Sequence, residues 1–396
     1  MLDIGAALQR MKAINFAELR SYRLDRVKKE LEKQNIEACI LFDPVNVRYA
    51  LDTTNMSVYN LHNLTRYCFV PVNGPTILYE FFGCENNASH LNLIDEIRPA
   101  ITWDYFSHGD QAEKELKKWV NDIKDLSKYF KSKKVAIDVI NGPAVTALNK
   151  EGIEVVDAKS VLEQARVIKS PEELKCIKEA LRVVEIGVAR MREELRAGMT
   201  ENQLWSILHK TNIEHGGEWI EGRLLASGHR TNPWMQECSH KVIKSGELVT
   251  FDTDTIGPYG YLADFSRAFV EGNKFSDYQK KLYSMAVEQI NHNSELIKPG
   301  LSFKEFLSKC WKLPEPYYGN RYPAIVHGTG LCDEWPFIKW NTDGGEQNGQ
   351  FEKDMTISVE SYIGEVGGKE GLKLEQQYYV GENGLELLSH HPLEDL

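Results

Sequence analysis

The sequence predicts a mixed α/β protein built from two domains, and three observations support this prediction. Short apolar strand patterns alternate with amphipathic helices over the first half of the chain. A strongly capped helix then begins at Ser170, and the segments after it repeat one local pattern twice. At 396 residues, with 42% hydrophobic residues, the chain is long enough for two domains that each bury a core. We therefore assign residues 1–165 to an N-terminal domain and residues 166–396 to a C-terminal domain.

The N-terminal domain is predicted from helix and strand periodicity. Residues 23–35 have the apolar spacing of an amphipathic helix, and a charged helix is predicted for residues 113–130. Short apolar runs bounded by turn residues predict strands in the segments EACILFDP, TRYCFVPV, PTILYEFF, KKVAIDVI and EVVDA. This alternation of helices and strands is typical of an α/β domain.

The C-terminal domain begins with a clear helix signal. Ser170 is a suitable N-cap, Pro171 fits the first helical position and Glu173 is placed to close a capping box. Further on, residues 196–208 and 298–310 both end a helix on a glycine and open another behind a threonine or serine cap. Common helix-turn-helix punctuation accounts for this repeat as well as an internal duplication does. The duplication would give the domain pseudo-twofold symmetry.

Composition and charge argue against several classes of function. The formal net charge of -11 is unsuited to nucleic acid or to an anionic membrane surface. No apolar run approaches the roughly 18 residues of a membrane-spanning helix, and the first thirty residues lack an apolar export segment. The seven cysteines are scattered without a CxxC pair, which predicts reduced thiols and a cytoplasmic protein. We therefore expect a small-molecule partner, with no nucleic acid and no membrane.

Three carboxylates stand in an otherwise apolar, strand-like segment, FDTDTIGPYGYLADFSR. A buried carboxylate is tolerated when it is paired, protonated or bound to a cation, and Arg267 is the only basic residue in this segment. Alternate strand residues share a face, so Asp252 and Asp254 should point the same way. The turn-rich IGPYGY predicts a hairpin that brings Asp264 opposite them. A solvated acidic face is the alternative, but the apolar neighbours favour a metal site.

Three further candidate ligands lie downstream. His327 stands among small residues in VHGTG, and Glu360 and Glu375 each interrupt an apolar strand pattern, in MTISVESYI and LKLEQQYYV. Singly, each residue is weak evidence, because a lone histidine is often a packed core residue and a strand glutamate often faces water. The metal-site prediction therefore depends on the ordered set.

That ordered set, with its flanking residues, resembles the pita-bread fold shared by methionine aminopeptidases, prolidases, aminopeptidase P and creatinase. The matching segments are SPEELKCIKEA, SGELVTFDTD, ADFSRAF, VHGTGL, ISVES and LKLEQQYYVGENGLELLS, and the first half of the chain resembles the creatinase-type N-terminal domain. The resemblance implies a curved antiparallel sheet with pseudo-twofold symmetry that holds one or two metal ions. The ligands that it implies are Asp252, Asp254, Asp264, His327, Glu360 and Glu375. Carboxylate oxygens with one imidazole suit iron, manganese or zinc.

The chain departs from the peptide-cleaving relatives where they carry proton-transfer histidines. Trp234 in SGHRTNPW stands at the position of their NPH-like histidine, and Asp333 in HGTGLCDEWP stands where their second histidine falls. The aspartate spacing also differs, since Asp264 lies ten residues after Asp254 and twelve after Asp252, whereas the relatives have a spacing of eleven. We therefore do not expect a simple peptidase.

These departures resemble the branch of the family that cleaves dimethylsulfoniopropionate (DMSP) to dimethyl sulfide and acrylate. The resemblance implies an iron-type site, a homodimer and a zwitterionic small-molecule substrate. β-Elimination needs a base for the proton next to the substrate carboxylate, and Asp333 suits this role in a water-poor site beside other acids. Tyr322 is the next candidate for the base. Tyr322 or Trp234 could offer the electron-rich face that a sulfonium favours, and the family assigns that contact to a tyrosine at the Tyr322 position.

Two other hypotheses remain open at this point. A metal-dependent hydrolase for a proline-containing dipeptide or a small amidated osmolyte would keep every ligand and use a metal-activated water. A binding module without chemistry could use the same scaffold, although the complete ligand set argues against it.

Overall fold

The chain divides after Arg166 into two structural units in a computed structural model that describes residues 9–343, 347–394 and 396. One unit spans Asn15–Arg166, and the other comprises Val167–Leu396 together with the described residues before Asn15. Each unit has its own buried apolar cluster. None of the helices in the described part of the chain is both long and apolar enough to cross a bilayer.

A six-stranded mixed sheet is the centre of the N-terminal unit. Its strands are β1 (Ala38–Leu41), β2 (Tyr67–Pro71), β3 (Ile77–Glu80), β4 (Glu96–Pro99), β5 (Lys134–Ile137) and β6 (Glu154–Asp157). Their order is β4-β3-β2-β1-β5-β6; the β1–β2 and β2–β3 pairs are antiparallel and the others are parallel. Its helices are α1 (Phe16–Lys33), α2 (Pro44–Leu51), α3 (Ser57–His62), α4 (Tyr105–His108), α5 (Ala112–Leu126), α6 (Gly142–Lys150) and α7 (Lys159–Arg166).

The strand predictions for this unit are confirmed, because each of the five predicted segments contains a strand. Strand β4 was not predicted, since none of its four residues is buried and two of them are charged, so that no apolar alternation is present. Helix α1 begins earlier than predicted. Asn15 caps it by accepting a hydrogen bond from Glu18 N at 3.2 Å, and this signal lies upstream of the apolar stripe.

Within its described residues, the C-terminal unit consists of three antiparallel sheets and the longest helices of the chain. Its strands are β7 (Trp219–Ile220), β8 (Leu225–Ser227), β9 (Leu248–Asp252), β10 (Thr255–Ile256), β11 (Leu262–Ala263), β12 (Ser266–Val270), β13 (Ala324–Thr329), β14 (Asp333–Lys339), β15 (Thr356–Gly364), β16 (Gly371–Val380) and β17 (Leu385–Leu387). The sheet orders are β11-β10-β7, β12-β9-β8 and β14-β13-β15-β16-β17. Its helices are α8 (Pro171–Glu194), α9 (Glu201–Glu214), α10 (Asp277–Leu296), α11 (Phe303–Lys309) and α12 (Glu315–Tyr318).

A threonine joins two of these sheets. Thr250 Oγ1 on β9 donates to Lys373 O on β16 and accepts from Lys373 N, both at 3.1 Å. These bonds replace a regular strand ladder between β9 and β16. Strands β9 and β16, which belong to different sheets, are therefore held next to each other.

The internal duplication is visible in the backbone bonds of the two repeated segments. Gly198 N donates to Ile243 O at 2.9 Å, and Gly300 N donates to Phe351 O at 2.8 Å. In each case the residue whose carbonyl accepts this bond also donates its own N–H to the carbonyl of the residue after the glycine. Both glycines have positive φ, 94° and 87°, a conformation that other residues rarely adopt. The repeated bonding pattern favours pseudo-twofold symmetry over common helix punctuation.

Candidate metal centre

The structure brings all six predicted ligands to one region of the C-terminal unit. Together with Asp333 they occur in three overlapping groups, and within each group the possible ligand atoms lie within 4.8 Å of one another. The groups are Asp252, Asp254 and Asp264; His327, Glu360 and Glu375; and Asp264, His327 and Asp333. Strands from two sheets therefore contribute to a single cluster.

Three adjacent strands of the five-stranded sheet position the histidine and the glutamates. Glu360 on β15 and Glu375 on β16 are directly paired, and His327 lies on β13, on the other side of β15. His327 Nε2 lies 3.2 Å from Glu360 Oε1, 3.3 Å from Glu375 Oε1 and 3.5 Å from Asp264 Oδ2. All four side chains are buried. One imidazole nitrogen therefore faces three carboxylates.

The position of Asp254 in the cluster does not follow from strand alternation. Strand β9 ends at Asp252, and Asp254 has φ of 33°, in the left-handed region. The pairs β9–β12 and β10–β11 share one register, so Asp254 and Asp264 face each other between them. The predicted hairpin is present, but the expected regular strand through Asp252 and Asp254 is not. Left-handed non-glycine residues are uncommon and concentrate at functional sites.

Lys373 lies among these carboxylates and was not predicted from the sequence. Its Nζ lies 2.6 Å from Glu360 Oε2, 2.8 Å from Asp252 Oδ2 and 3.0 Å from Glu375 Oε2, and its side chain is 0% exposed. Ser266 Oγ accepts from the same ammonium at 2.8 Å and donates to Asp252 Oδ1 at 2.7 Å. A signal was available, because a lysine two positions before a ligand on one strand shares its face.

The cluster carries more negative charge than Lys373 neutralises. Burial, with the neighbouring carboxylates, raises the pKa of Asp252 and of Asp264 well above the ordinary value. Burial and the nearby Asp333 raise the pKa of Asp254 to about 7. Burial alone would raise the pKa of Glu375, but Lys373 and His327 outweigh it and hold this pKa well below its usual range. Acids crowded in this way are stabilised by protons or by a cation.

The donor set fits a transition-metal ion. Asp264 Oδ1 is buried and has no hydrogen-bond partner within the described part of the chain, which is costly unless a cation binds there. His327 Nδ1 lies 3.1 Å from Gly328 O, so a donated hydrogen bond there leaves Nε2 free to bind a metal. Carboxylate oxygens with a single imidazole suit iron, manganese or zinc.

Buried polar side chains fix the backbone around Asp264. Gln377 Oε1 accepts from Asp264 N at 3.0 Å, and Ser358 Oγ donates to Asp264 O at 3.0 Å. Both residues lie on the strands that carry the glutamates. The position of Asp264 is therefore tied to that of Glu360 and Glu375, which sequence spacing alone does not reveal.

The three residues predicted to act on a substrate differ in their placement. Asp333 begins β14 with Oδ1 3.4 Å from His327 Nδ1, and its side chain is 54% exposed, not water-poor as expected. Tyr322 is half-buried, with its ring centroid 4.7 Å from Lys373 Nζ. Trp234 is 7% exposed and lies beside Tyr362, with ring centroids 6.1 Å apart. The structure thus brings Asp333 and Tyr322 to the cluster and packs Trp234 in the interior.

Comparison with known proteins agrees with this architecture. The family models "Metallopeptidase family M24" and "Creatinase/Prolidase N-terminal domain" match residues 175–382 and 23–168. The chain is 33% identical to dimethylsulfoniopropionate lyase DddP of Roseobacter denitrificans, over 97% of this chain and 88% of that protein. It is 34% identical to the DddP of Roseovarius nubinhibens, over 95% and 86%. The solved prolidase of Pyrococcus horikoshii OT3 has a TM-score of 0.75 at 20% identity, covering 94% of this chain and 99% of that one, so the fold is the pita-bread fold.

We expect added metal to stabilise the protein more at pH 8 than at pH 6. Because the pKa of Asp254 is raised to about 7, a metal must displace its proton at the lower pH and meets a carboxylate at the higher pH. In the metal-free protein, the raised pKa of Asp254 contributes stability that is fully present below pH 3.8, the ordinary pKa of an aspartate. This stability is lost as the pH rises through about 7. Thermal unfolding of chelator-treated protein, with and without Fe²⁺, Mn²⁺ or Zn²⁺, measures both effects.

Two histidine variants test whether the metal binds at the predicted ligands. His327→Ala should lower the metal bound per chain, determined by elemental analysis, while the circular dichroism spectrum stays native. His240→Ala removes an exposed histidine of the same unit and should bind metal normally. Full metal content in His327→Ala would remove His327 from the ligand set.

Lys373→Met should destabilise the metal-free protein more than the metal-loaded protein. Removing one partner of a buried ion pair costs about 3–5 kcal/mol, and a bound metal then becomes the remaining cation among these acids. Calorimetry with and without metal measures the difference. Lys353→Met, which removes an exposed ammonium 3.1 Å from Glu382 Oε1, is the control. Equal unfolding temperatures for the two metal-free variants would contradict a charge-compensating role for Lys373.

Proposed function

The chain belongs to metallopeptidase family M24, and we propose that it is a metal-dependent lyase that cleaves DMSP to dimethyl sulfide and acrylate. The observation that carries the proposal is the position of Asp333, an exposed carboxylate 3.4 Å from a buried histidine of the metal cluster. Two relatives named as DMSP lyases, 33% and 34% identical over nearly the whole chain, support the choice of substrate.

The proposed reaction is a β-elimination. A base removes a proton from the carbon next to the substrate carboxylate, the carbon–carbon double bond forms, and the carbon–sulfur bond breaks so that neutral dimethyl sulfide leaves with its electron pair. The residues that would hold the metal are Asp252, Asp254, Asp264, His327, Glu360 and Glu375. When bound, the metal would supply Lewis-acid stabilisation of the charge that builds up on the substrate carboxylate.

Asp333 is the proposed base, and its exposure suits that role. A base must come within hydrogen-bond reach of the proton that it removes, and the exposed carboxylate of Asp333 is accessible to a substrate at the edge of the cluster. Tyr322 is less suited, because burial raises the pKa of its phenol far above the ordinary value and keeps it protonated. Asp333 therefore remains ahead of Tyr322 as the base.

Tyr322 is the proposed contact for the sulfonium. Its ring already lies 4.7 Å from one cation, the Lys373 ammonium, and a contact between a cation and an aromatic face contributes roughly 0.5 to 2 kcal/mol. Trp234 was the other candidate. Its low exposure and its contact with Tyr362 favour packing in the interior over contact with the substrate.

We further propose iron as the resident metal, a homodimer as the functional state and the cytoplasm as the location. All seven cysteines are free, as suits a reducing compartment. On the N-terminal unit, Met56, Leu61 and Phe82 are 59%, 54% and 90% exposed and would supply apolar surface to a subunit contact. Metal analysis of the purified protein and light scattering measure the first two properties.

A metal-dependent hydrolase for a proline-containing dipeptide or a small amidated osmolyte is the second candidate. The similarity of the fold to a solved prolidase favours it, since the same cluster could activate a water. Trp234 and Asp333 argue against it, because they stand where the peptide-cleaving relatives carry histidines.

One experiment separates the two candidates. The metal-loaded protein is incubated with DMSP and with Xaa-Pro dipeptides, and headspace dimethyl sulfide and free amines are measured. In oxygen-18 water the lyase should form acrylate without label, whereas a hydrolase must place solvent oxygen in its product. Amine release without dimethyl sulfide would favour the hydrolase.

Asp333→Asn should retain metal while turnover of DMSP falls by about two to four orders of magnitude. The amide keeps the size of the side chain but cannot accept the proton, so KM should change much less than kcat. Asp277→Asn, an exposed aspartate at the start of α10, is the control and should react normally. A near-normal rate in Asp333→Asn would place the base elsewhere, with Tyr322 as the next residue to test.

A further inference from the structure

The turn that precedes Asp333 is built around the carboxylate of the next residue, Glu334. Gly328 pairs with Glu334 across the β13–β14 hairpin. Glu334 Oε1 accepts from Leu331 N at 3.1 Å. Its carboxylate lies so close to Gly330 that a Cβ at that position would be 2.3 Å from Oε1. The shape of this turn therefore depends on where the Glu334 side chain is held.

Lys169 holds that side chain. Its Nζ lies 2.7 Å from Glu334 Oε2, and the two side chains are 2% and 1% exposed. Lys169 N donates to Asp354 O at 2.8 Å, which anchors the backbone of the lysine. The next residue, Ser170, forms the predicted capping box of α8 with Glu173. The ammonium is thus fixed from the start of a long helix.

The same helix start is also connected to the aspartate hairpin. Tyr261 OH donates to Glu173 Oε1 at 3.2 Å. The following residue, Leu262, donates from its N–H to Gly330 O in the turn at 2.8 Å. The turn before Asp333 therefore has contacts both to α8, through Glu334 and Lys169, and to the strand that leads to Asp264.

We propose that the buried Lys169–Glu334 ion pair is a positioning device that directs the Asp333 carboxylate toward the reacting carbon of the substrate. Successive strand residues point to opposite faces, and on β14 Asp333 is exposed while Glu334 is buried. Anchoring the inward side chain therefore sets the direction of the outward one. The chemical part of this inference rests on the proposed lyase function, whereas the control of the turn does not.

Energetics favour a positioning role over a stabilising one. A buried ion pair is often no more stabilising than apolar residues of similar volume, because desolvation offsets the attraction. Glu334 accepts a hydrogen bond from the turn through one carboxylate oxygen and pairs with the Lys169 ammonium through the other. The ion pair therefore restricts both the turn and the lysine. Apolar residues of similar volume would fill the space but would not hold the turn in place.

The first measurement is hydrogen exchange over residues 328–333 in the metal-loaded full chain. The variant is Lys169→Met combined with Glu334→Met, which leaves no unpaired charge in the interior and so favours folding. Loss of the bond to Leu331 N should raise exchange in this segment by about tenfold, with β15 unchanged. The control, Lys175→Met, removes a lysine from the exposed side of α8. Exchange in 328–333 equal to that of the control would overturn the proposal.

The second measurement is steady-state kinetics with DMSP. A misplaced base should lower kcat by about 10- to 100-fold while KM and metal content stay near normal. Lys169→Arg keeps the positive charge and should recover part of the loss. If the double variant exchanges faster but the parent protein does not turn over DMSP, the proposed function is wrong and the control of the turn by the ion pair still holds. Normal kcat in a double variant with an opened turn would overturn the positioning of Asp333.

Discussion

The structure depends on the burial of carboxylates around one ammonium. Asp252, Glu360 and Glu375 all lie within 3.0 Å of Lys373 Nζ, and none of these side chains is more than 3% exposed. Charges in this environment are stable only with opposite charges and hydrogen bonds in fixed places. The sheet pairing, the Thr250 bridge between sheets and the polar residues behind Asp264 supply that fixed arrangement. The remaining negative charge is charge that a bound metal ion would offset.

The sequence contained most of the fold and much of this cluster. Strands such as β1 and β15 could be predicted, because short apolar runs bounded by turn residues are typical of buried strands. Glu360 and Glu375 could be found because acids are rare in such runs. The residues that match a known family indicated that both glutamates are metal ligands. Helix α8 was predicted down to its capping box, since that signal is entirely local.

What could not be predicted depends on contacts between distant segments or on backbone geometry. Strand alternation places Lys373 on the same face as Glu375, but its pairing with Asp252 and Glu360 is visible only when β9 and β15 lie beside β16. The left-handed backbone of Asp254 has no sequence signal, because aspartate is also common in regular turns. The exposure of Asp333 follows from the hairpin turn before it, and Trp234 could be assigned to the interior only once Tyr362 was seen beside it. Lys169 and Glu334 are 165 residues apart, so neither suggests the other.

The candidate ligands are divided between the two repeats of the C-terminal unit. The three aspartates belong to the first repeat, and His327 with the two glutamates belongs to the second. A metal held by both sets would be a further cross-link between halves that also contact each other through Lys373 and Asp252 and through Lys169 and Glu334. Loss of tertiary structure in either half must release the ion, so metal retention reports the integrity of both halves together. A fragment carrying one repeat would keep only part of the ligand set, and two such fragments would have to reassociate before the site could form.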